Sequence, residues 1–123
     1  MRLLFLLSLV AFAAALINNE NPLEKAKKFQ AKLNLFARQN ARSSIVDMLI
    51  NGFQFQDCRG KILNSNQFAD AVLNTPVNGV VTSARADKNH VIYKVMYSRE
   101  TKEFMMTKKL TGWYLERGQD LIC

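Results

Sequence analysis

The sequence has few of the residues that carry metal or nucleophilic chemistry. It contains two cysteines and one histidine among 123 residues. These three side chains cannot supply the four ligands of a zinc site at any usual spacing, and a cysteine nucleophile would lack a third group to orient the histidine. The chain has no glycine-rich phosphate loop, nucleophile elbow, H-E-x-x-H helix or acidic calcium loop. We therefore expect neither a metal ion nor a cofactor.

Long apolar runs are also scarce, and the one that occurs lies at the N-terminus. Arg2 precedes an apolar run over residues 3–12 and a small-residue stretch over 13–15. This order is typical of a secretory signal peptide, whereas a membrane-spanning helix needs about 20 apolar residues. The pattern predicts a signal peptide at residues 1–15 with cleavage after Ala15, although a cut two residues earlier fits almost as well. We expect a secreted, extracellular protein without a transmembrane anchor.

The rest of the chain, residues 16–123, suits a single domain with one modest core. Arg2 is the only charged residue of the leader, so this part keeps +6 of the chain's formal charge of +7. Such an excess favours acidic partners such as anionic lipid, polyanionic glycans or nucleic acid, and it also serves solubility alone. No pattern indicates specific recognition of nucleic acid.

Both cysteines, Cys58 and Cys123, lie in the part of the chain that would enter an oxidising compartment. A disulfide between them is the leading interpretation. In the chain-entropy model, the loop closed by this bond would stabilise the folded state by roughly 4 kcal/mol. Two free thiols, or one thiol that pairs with a second chain, are the alternatives.

The first half of the domain has helical periodicity. Asn21-Pro22 is typical of a helix start, and apolar residues then recur at helical spacing to Ala37. Lys25, Lys28 and Lys32 form an adjoining stripe, which we interpret first as a solvated face and second as a docking surface. A second helix is predicted from Ser43 to Asn51-Gly52, and a third over residues 64–73.

The second half of the domain changes to a period of two. After a first strand at Phe53-Gln54-Phe55-Gln56, four more are predicted at Val80–Ala86, Val91–Tyr97, Glu103–Leu110 and Trp113–Glu116. Their separators are short enough for hairpin turns, so the sheet should be mostly antiparallel. The order predicts an α+β roll, with the N-terminal helices packed against a curved sheet.

The run Phe53-x-Phe55-x-x-Cys58-x-Gly60 stands between two predicted helices, and Trp113 opens the last strand directly after Thr111-Gly112. In these features the chain resembles the nuclear transport factor 2-like superfamily. It is most similar to the small secreted members of nematode type, which also end in a cysteine. The resemblance implies a cone-shaped roll with an apolar cavity at one end, homodimers through the outer face of the sheet, and either enzymatic activity, as in ketosteroid isomerase and scytalone dehydratase, or binding alone.

Enzymes of this shape need a proton-transfer group and a polarising tyrosine or acid inside the cone. Asp57, Tyr93 and Tyr97 are the candidates, but no position matches a catalytic motif of the superfamily. Asp57 is better interpreted as the cap of a bend before Gly60, and the tyrosines as ordinary strand residues.

Two other groups of residues suggest binding. Aromatic and thioether side chains are predicted to line a pocket or merely to fill the roll: Phe53, Phe55, Phe68, Phe104, Met106 and Trp113. Basic residues on adjacent predicted strands are expected to form one exposed patch or to protect the sheet from aggregation: Lys94, Arg99, Lys102, Lys108 and Lys109.

Three functional hypotheses follow. The first is a secreted, non-catalytic binding module that holds a small apolar ligand in the cone, engages a protein partner or pairs as a homodimer. The second is an isomerase- or dehydratase-like enzyme that uses Asp57 with a tyrosine. The third is a binder of polyanions or membrane surfaces through basic residues.

Overall fold

The computed structural model describes residues 21–74 and 78–123. The predicted signal peptide at residues 1–15 lies outside the described residues. Three helices occur in this part of the chain: α1 (Pro22–Arg38), α2 (Arg42–Asp47) and α3 (Ser65–Asn74). Six strands form one sheet: β1 (Leu49–Gln56), β2 (Ile62–Leu63), β3 (Val80–Asp87), β4 (His90–Tyr97), β5 (Glu100–Lys109) and β6 (Gly112–Asp120).

The long helix and the third helix begin where their caps predict. Asn21 Oδ1 accepts a hydrogen bond from the Glu24 amide at 2.8 Å, and Pro22 occupies the first turn of α1. At α3, Asn64 and Gln67 accept from each other's backbone amides at 2.9 Å, which is a reciprocal capping box. Both starts are therefore fixed by local hydrogen bonds.

The sheet has the strand order β2-β1-β6-β5-β4-β3. Every neighbouring pair is antiparallel except β1 and β6, which are parallel. The expected α+β architecture, with helices followed by a curved and mostly antiparallel sheet, is confirmed. The parallel pair brings the first and last strands together inside the sheet, with the two-residue β2 as the edge strand next to β1.

The prediction of a second helix as far as Asn51 is wrong. The helix ends at Asp47, and β1 begins at Leu49. Leu115 of β6 pairs with Leu49 and donates its amide hydrogen to the Met48 carbonyl at 2.9 Å. These bonds to a distant strand outweigh the local helical pattern. Gly52, with a φ of 87°, therefore lies at an irregularity within β1 and not at a helix end.

The hairpin that joins β4 and β5 is tighter than predicted. Its turn residues are Ser98 and Arg99, and β5 already begins at Glu100. Ser98 adopts a φ of 55°, the left-handed conformation that a two-residue hairpin turn requires. The turn sets the register of the whole hairpin, with Tyr93 opposite Phe104 and Val95 opposite Lys102.

One hydrophobic core lies between the helices and the inner face of the sheet. Its members come from all three helices and from β1, β4, β5 and β6; the aromatic members are Phe29, Phe53, Phe55, Phe68, Tyr93 and Phe104. Gly118 on β6 makes room for this cluster, because a Cβ there would lie 2.5 Å from the ring of Phe104 and 2.8 Å from that of Phe55.

A disulfide joins Cys58, just after β1, to Cys123, with the two Cα atoms 5.6 Å apart. It excludes the free-thiol alternatives for these two cysteines. Within the described residues no helix is long and apolar enough to cross a membrane.

Candidate functional site

The interior of the roll is filled by the aromatic residues that were predicted to line a pocket. The ring centroids of Phe68 lie 4.9 Å from Phe53, 5.3 Å from Phe55 and 5.8 Å from Phe104. These contacts leave a cavity of about 90 Å³, lined by Phe55, Phe68 and Phe104 but not by Phe53 or Met106. Ligand pockets usually measure about 300–1,000 Å³, so the space fits only a small chemical group.

Beside this cavity, Gln30 of α1 links two candidate catalytic tyrosines. Its Oε1 accepts a hydrogen bond from the Tyr93 hydroxyl at 3.3 Å, and its Nε2 donates to the Tyr97 hydroxyl at 2.7 Å and to Asn34 Oδ1 at 2.9 Å. Asn34 in turn bonds both the amide and the carbonyl of Gly79. Both tyrosines thus belong to a network that joins α1 to the sheet and to the segment before β3.

The ionisation of these tyrosines is suppressed by their surroundings. Burial raises the pKa of Tyr97 to about 12, and the hydrogen bond from Gln30 opposes part of that rise. Burial likewise raises the pKa of Tyr93 well above its ordinary value, and Tyr97 adds to the effect. Both hydroxyls therefore stay protonated at neutral pH, where they serve as hydrogen-bonding groups.

Asp57 caps the turn that follows β1. Its Oδ1 accepts the backbone amides of Arg59 and Lys61, each at 2.9 Å, while its own amide donates to the Lys61 carbonyl. This arrangement closes the β1–β2 connection and directs the carboxylate to the turn. The tyrosine pair is held by Gln30 and not by Asp57.

Lys102 does not join the other predicted basic residues on an exposed face. It alternates with Phe104 and Met106 along β5, so its side chain lies on the inner face, where it is 19% exposed. Its ammonium group pairs with Asp120 and Glu100 and lies 5.1 Å from the Phe55 ring centroid. The charge is therefore compensated at the edge of the small cavity.

The four remaining basic residues do not form one patch either. Lys94 is exposed on the outer face of β4, and Arg99 is exposed in the β4–β5 turn. Lys108 and Lys109 lie at the opposite end of β5, beside the hairpin to β6. The structure thus brings together only the last two of the five.

Lys108 instead belongs to a larger feature, which we call the basic groove. It has a volume of about 670 Å³ and lies between α1, α2 and the β5–β6 hairpin. Residues of α1 at helical spacing form one wall, and the start of β6 forms the other. The lining consists of Lys25, Lys28, Phe29, Lys32, Phe36, Ser44, Asp47, Met48, Lys108, Thr111, Gly112, Trp113 and Tyr114.

The lining of this groove combines charged and aromatic side chains. Four lysines and one aspartate line it, which gives a formal charge of +3. The ammonium group of Lys25 lies 5.3 Å from the Trp113 ring centroid, a cation–π contact that ties the helix wall to the strand wall. Tyr114 and Thr111 share a hydrogen bond between their hydroxyls. Such a surface can bind an anionic group and an adjoining apolar or planar one.

Sequence reasoning placed the parts of this groove in three different roles. The sequence alone predicts that Lys25, Lys28 and Lys32 form a solvated face or a docking surface. It predicts Trp113 in the cone and Lys108 in a patch on the sheet. The stripe itself was the available signal, because lysines at i, i+3 and i+7 share one helix face. Only the tertiary structure shows that the β5–β6 hairpin lies opposite that face.

The outer face of the sheet carries a second, smaller depression of about 350 Å³. Its lining includes Ile62, Ile92 and Met105 beside polar residues of β1, β5 and β6. Met96 and Val80, which pair with each other at the β3–β4 end, are also well exposed. Within residues 21–74 and 78–123, no three His, Cys, Asp or Glu side chains cluster as metal ligands.

A family profile described as an NTF2-like domain matches residues 23–123. Among solved structures, an NTF2-like protein from Cytophaga hutchinsonii is similar with a TM-score of 0.64 and 13% identity, over 81% of this chain and 97% of the other. An NTF2-like protein with a cystatin-like fold from Novosphingobium aromaticivorans gives 0.65 and 9%, over 91% and 86%.

A de novo designed protein with a curved β-sheet is similar too, with a TM-score of 0.63 and 15% identity over 80% of this chain and 98% of the other. A search among curated proteins finds no match. At such identities the similarity to these structures supports the fold alone.

Proposed function

Because the chain belongs to the family of NTF2-like domains, which bind ligands or act as enzymes, we propose that it is a secreted, non-catalytic binding module whose ligand is anionic and lies in the basic groove. The observation that carries the proposal is the convergence of Lys25, Lys28, Lys32 and Lys108 around Trp113. Three of the lysines come from α1, while Lys108 comes from β5 and Trp113 from β6, and all of them line one space of ligand size.

The non-catalytic role is supported by the hydrogen bonds of the three candidate residues. The hydroxyls of Tyr93 and Tyr97 are hydrogen-bonded to Gln30, and their raised pKa values keep both hydroxyls protonated. Asp57 holds the β1–β2 turn. An isomerase or dehydratase would need an acid and a tyrosine directed at one substrate-sized space, and the cavity of about 90 Å³ is smaller than such a substrate.

The filled interior is also the reason why the proposed ligand site is the basic groove and not the cone. An apolar ligand there would have to displace the rings of Phe55, Phe68 or Phe104, which are close-packed. The basic groove needs no such rearrangement. A mass retained by the protein in native mass spectrometry, and lost on enlargement of Phe55 to Trp, would favour the cone instead.

The proposal is tested by binding of a soluble polyanion, such as a heparin hexasaccharide, followed by isothermal titration and by the fluorescence of Trp113, the only tryptophan in the chain. A Lys25→Gln/Lys108→Gln variant should bind at least ten-fold more weakly, since each neutralised contact removes charge-assisted stabilisation. The matched control is Lys61→Gln/Lys94→Gln, which removes the same charge outside the groove.

If both variants lose the same affinity for the polyanion, net charge and not the groove attracts the anion, and the proposal is wrong. The same holds if the wild-type protein binds no polyanion, or if binding is insensitive to salt between low and high ionic strength.

A homodimer is the second candidate role, and the outer face of the sheet favours it. Met96 and Ile62 expose about half of their surface there, next to the partly buried Ile92 and Met105. Light scattering coupled to gel filtration should give twice the chain mass for the wild type and the monomer mass for Met96→Glu. Leu35→Glu, on α1, is the matched control. A monomeric wild type at high concentration would refute this role.

Secretion, the cleaved leader at residues 1–15 and membership of the nematode-type secreted group are parts of the same proposal. The Cys58–Cys123 disulfide supports them, since such bonds persist in oxidising compartments. N-terminal sequencing of protein from the medium of expressing cells should begin at residue 16. Retention of the protein inside the cell, with its initial residues intact, would exclude export.

A further inference from the structure

We propose that the basic groove docks on an anionic lipid bilayer, with Leu110 at the tip of the β5–β6 hairpin as the inserting side chain. This inference rests on the proposed anionic specificity of the groove and names the source of the anion. The starting observation is that Leu110 is fully exposed, more so than any other large apolar side chain among the described residues. It occupies a two-residue turn, where polar residues and glycine are usual.

Leu110 stands at the rim of the groove. The next two residues, Thr111 and Gly112, line the groove directly, and the strands on either side of the turn pair Lys109 with Gly112 and Lys108 with Trp113. The apolar tip thus directly follows two lysines, Lys108 and Lys109, at the end of β5. A leucine in this position contributes nothing to the core and gains free energy only by leaving water.

The side chains behind the tip are ordered as a membrane interface requires. Trp113 and Tyr114 are partly exposed and follow Leu110 by three and four residues, so that in the docked orientation their amphipathic rings would meet the lipid headgroups. Lys25, Lys28 and Lys32 stand opposite them on α1. Lysine stems can cover apolar surface while their ammonium groups reach phosphate or carboxylate oxygens.

Charge complementarity selects an anionic bilayer in particular. Four lysines, at positions 25, 28, 32 and 108, line the groove, and a fifth, Lys109, directly precedes the tip; Asp47 is the acidic residue of the lining. Juxtamembrane lysines are attracted to anionic leaflets, and one apolar anchor alone gives weak binding. The two features together make a site that needs both lipid and charge, whereas a glycan or an acidic peptide would use the lysines and leave Leu110 in water.

The experiment measures binding to vesicles of phosphatidylcholine alone and of phosphatidylcholine with about 30% phosphatidylserine. We expect binding to the anionic vesicles only. The emission of Trp113 should shift to the blue, and acrylamide should quench it less. Leu110→Ser should weaken vesicle binding about ten-fold, because no leucine side chain is then buried in the lipid. The affinity for the heparin hexasaccharide should stay unchanged. Lys25→Gln/Lys108→Gln should weaken both.

Leu35→Ser, which replaces another exposed leucine, is the control for Leu110, and Lys61→Gln/Lys94→Gln is the control for the lysines. If Leu110→Ser binds vesicles like the wild type while the groove variant loses the hexasaccharide, the bilayer inference is overturned and the anionic groove stands. The same conclusion follows if the wild type binds the hexasaccharide but no vesicle. If it binds neither, both proposals fail.

Discussion

Tyr93 of β4 donates its hydroxyl hydrogen to Gln30 of α1 over 3.3 Å, in the most buried part of the domain. The bond is polar, yet both side chains are almost completely inaccessible. Because a buried polar group without a partner is costly, each residue depends on the other, and together they fix how the long helix lies on the sheet.

Replacement of Gln30 by Met, which keeps the volume and removes the amide, should lower the free energy of unfolding by about 2–3 kcal/mol. The hydroxyls of Tyr93 and Tyr97 lose a partner, as does Asn34. Urea denaturation measures the loss, and Lys27→Ala on the exposed side of the same helix should change stability by less than about 0.5 kcal/mol.

A double variant separates the bond from the packing. With Tyr93→Phe already present, Gln30→Met should cost less than it does alone, since the orphaned hydroxyl is gone. Strict additivity of the two losses would show that the hydrogen bond contributes nothing to stability.

Stability should fall at alkaline pH through the same two tyrosines. Their pKa values are raised in the folded protein, to about 12 for Tyr97, while in the unfolded chain they titrate near 10. The unfolded state therefore loses protons first, and the free energy of unfolding should decrease above pH 10 by up to about 1.4 kcal/mol per pH unit and tyrosine, until the folded groups ionise.

The measurement is urea denaturation at several pH values between 8 and about 11.5, for the wild type and for Tyr93→Phe/Tyr97→Phe. The double variant should lose much less stability over that range, because both proteins share all other titrating groups. Parallel declines in the two proteins would assign the alkaline effect elsewhere.

Gly118→Ala should destabilise the domain by about 1–3 kcal/mol through overpacking. The added Cβ would lie 2.5 Å from Phe104 and 2.8 Å from Phe55, and both rings are held by further aromatic contacts. Thermal and urea unfolding give the loss. Gln119→Ala, on the exposed side of the same strand, is the control, and a Gly118 variant as stable as this control would mean that the rings shift without cost.

Removal of the disulfide by Cys58→Ser/Cys123→Ser should lower the free energy of unfolding by about 4 kcal/mol, on the chain-entropy model for a separation of 65 residues. Since a domain of this size has only about 5–15 kcal/mol in total, partial unfolding at 37 °C is expected. Amide hydrogen exchange should accelerate first near the bond, including Leu121, whose amide donates to Thr101. An unchanged midpoint of unfolding would contradict this expectation.

Local signals in the sequence predicted much of the fold. The caps at Asn21 and Asn64, the alternation of Phe53 and Phe55, and the hairpin between β5 and β6 correspond to observed features. Each of these depends on neighbours within a few residues. Local chemistry therefore determines where helices and strands start.

The predictions from the sequence are wrong where pairing with a distant strand determines the secondary structure. The mostly apolar segment of residues 45–50 fits a helix or a strand, and the pairing of Leu49 with Leu115 makes its end a strand. The two-residue strand β2 is defined by its bonds to β1 and has little pattern of its own. Lys102 was predictable in principle, since it shares the alternation of Phe104 and Met106, but its charge argued for the outer face.

The site was less predictable than the fold. Residues of the basic groove are separated by up to about 90 positions in sequence, as for Lys25 and Trp113, and their proximity depends on the helix–sheet contact. No single segment carries the pattern.

The parallel pairing of β1 with β6 sets an order of events during synthesis. β1 leaves the ribosome long before residues 112–120 exist, so its two phenylalanines and its open edge wait without their main partner strand. Such a waiting strand is prone to aggregation, and closure over long sequence distances is slow. We therefore expect the nascent chain to be exposed to aggregation until its last strand is made, and a ribosome stalled before residue 112 would display a chain that cannot yet complete its sheet.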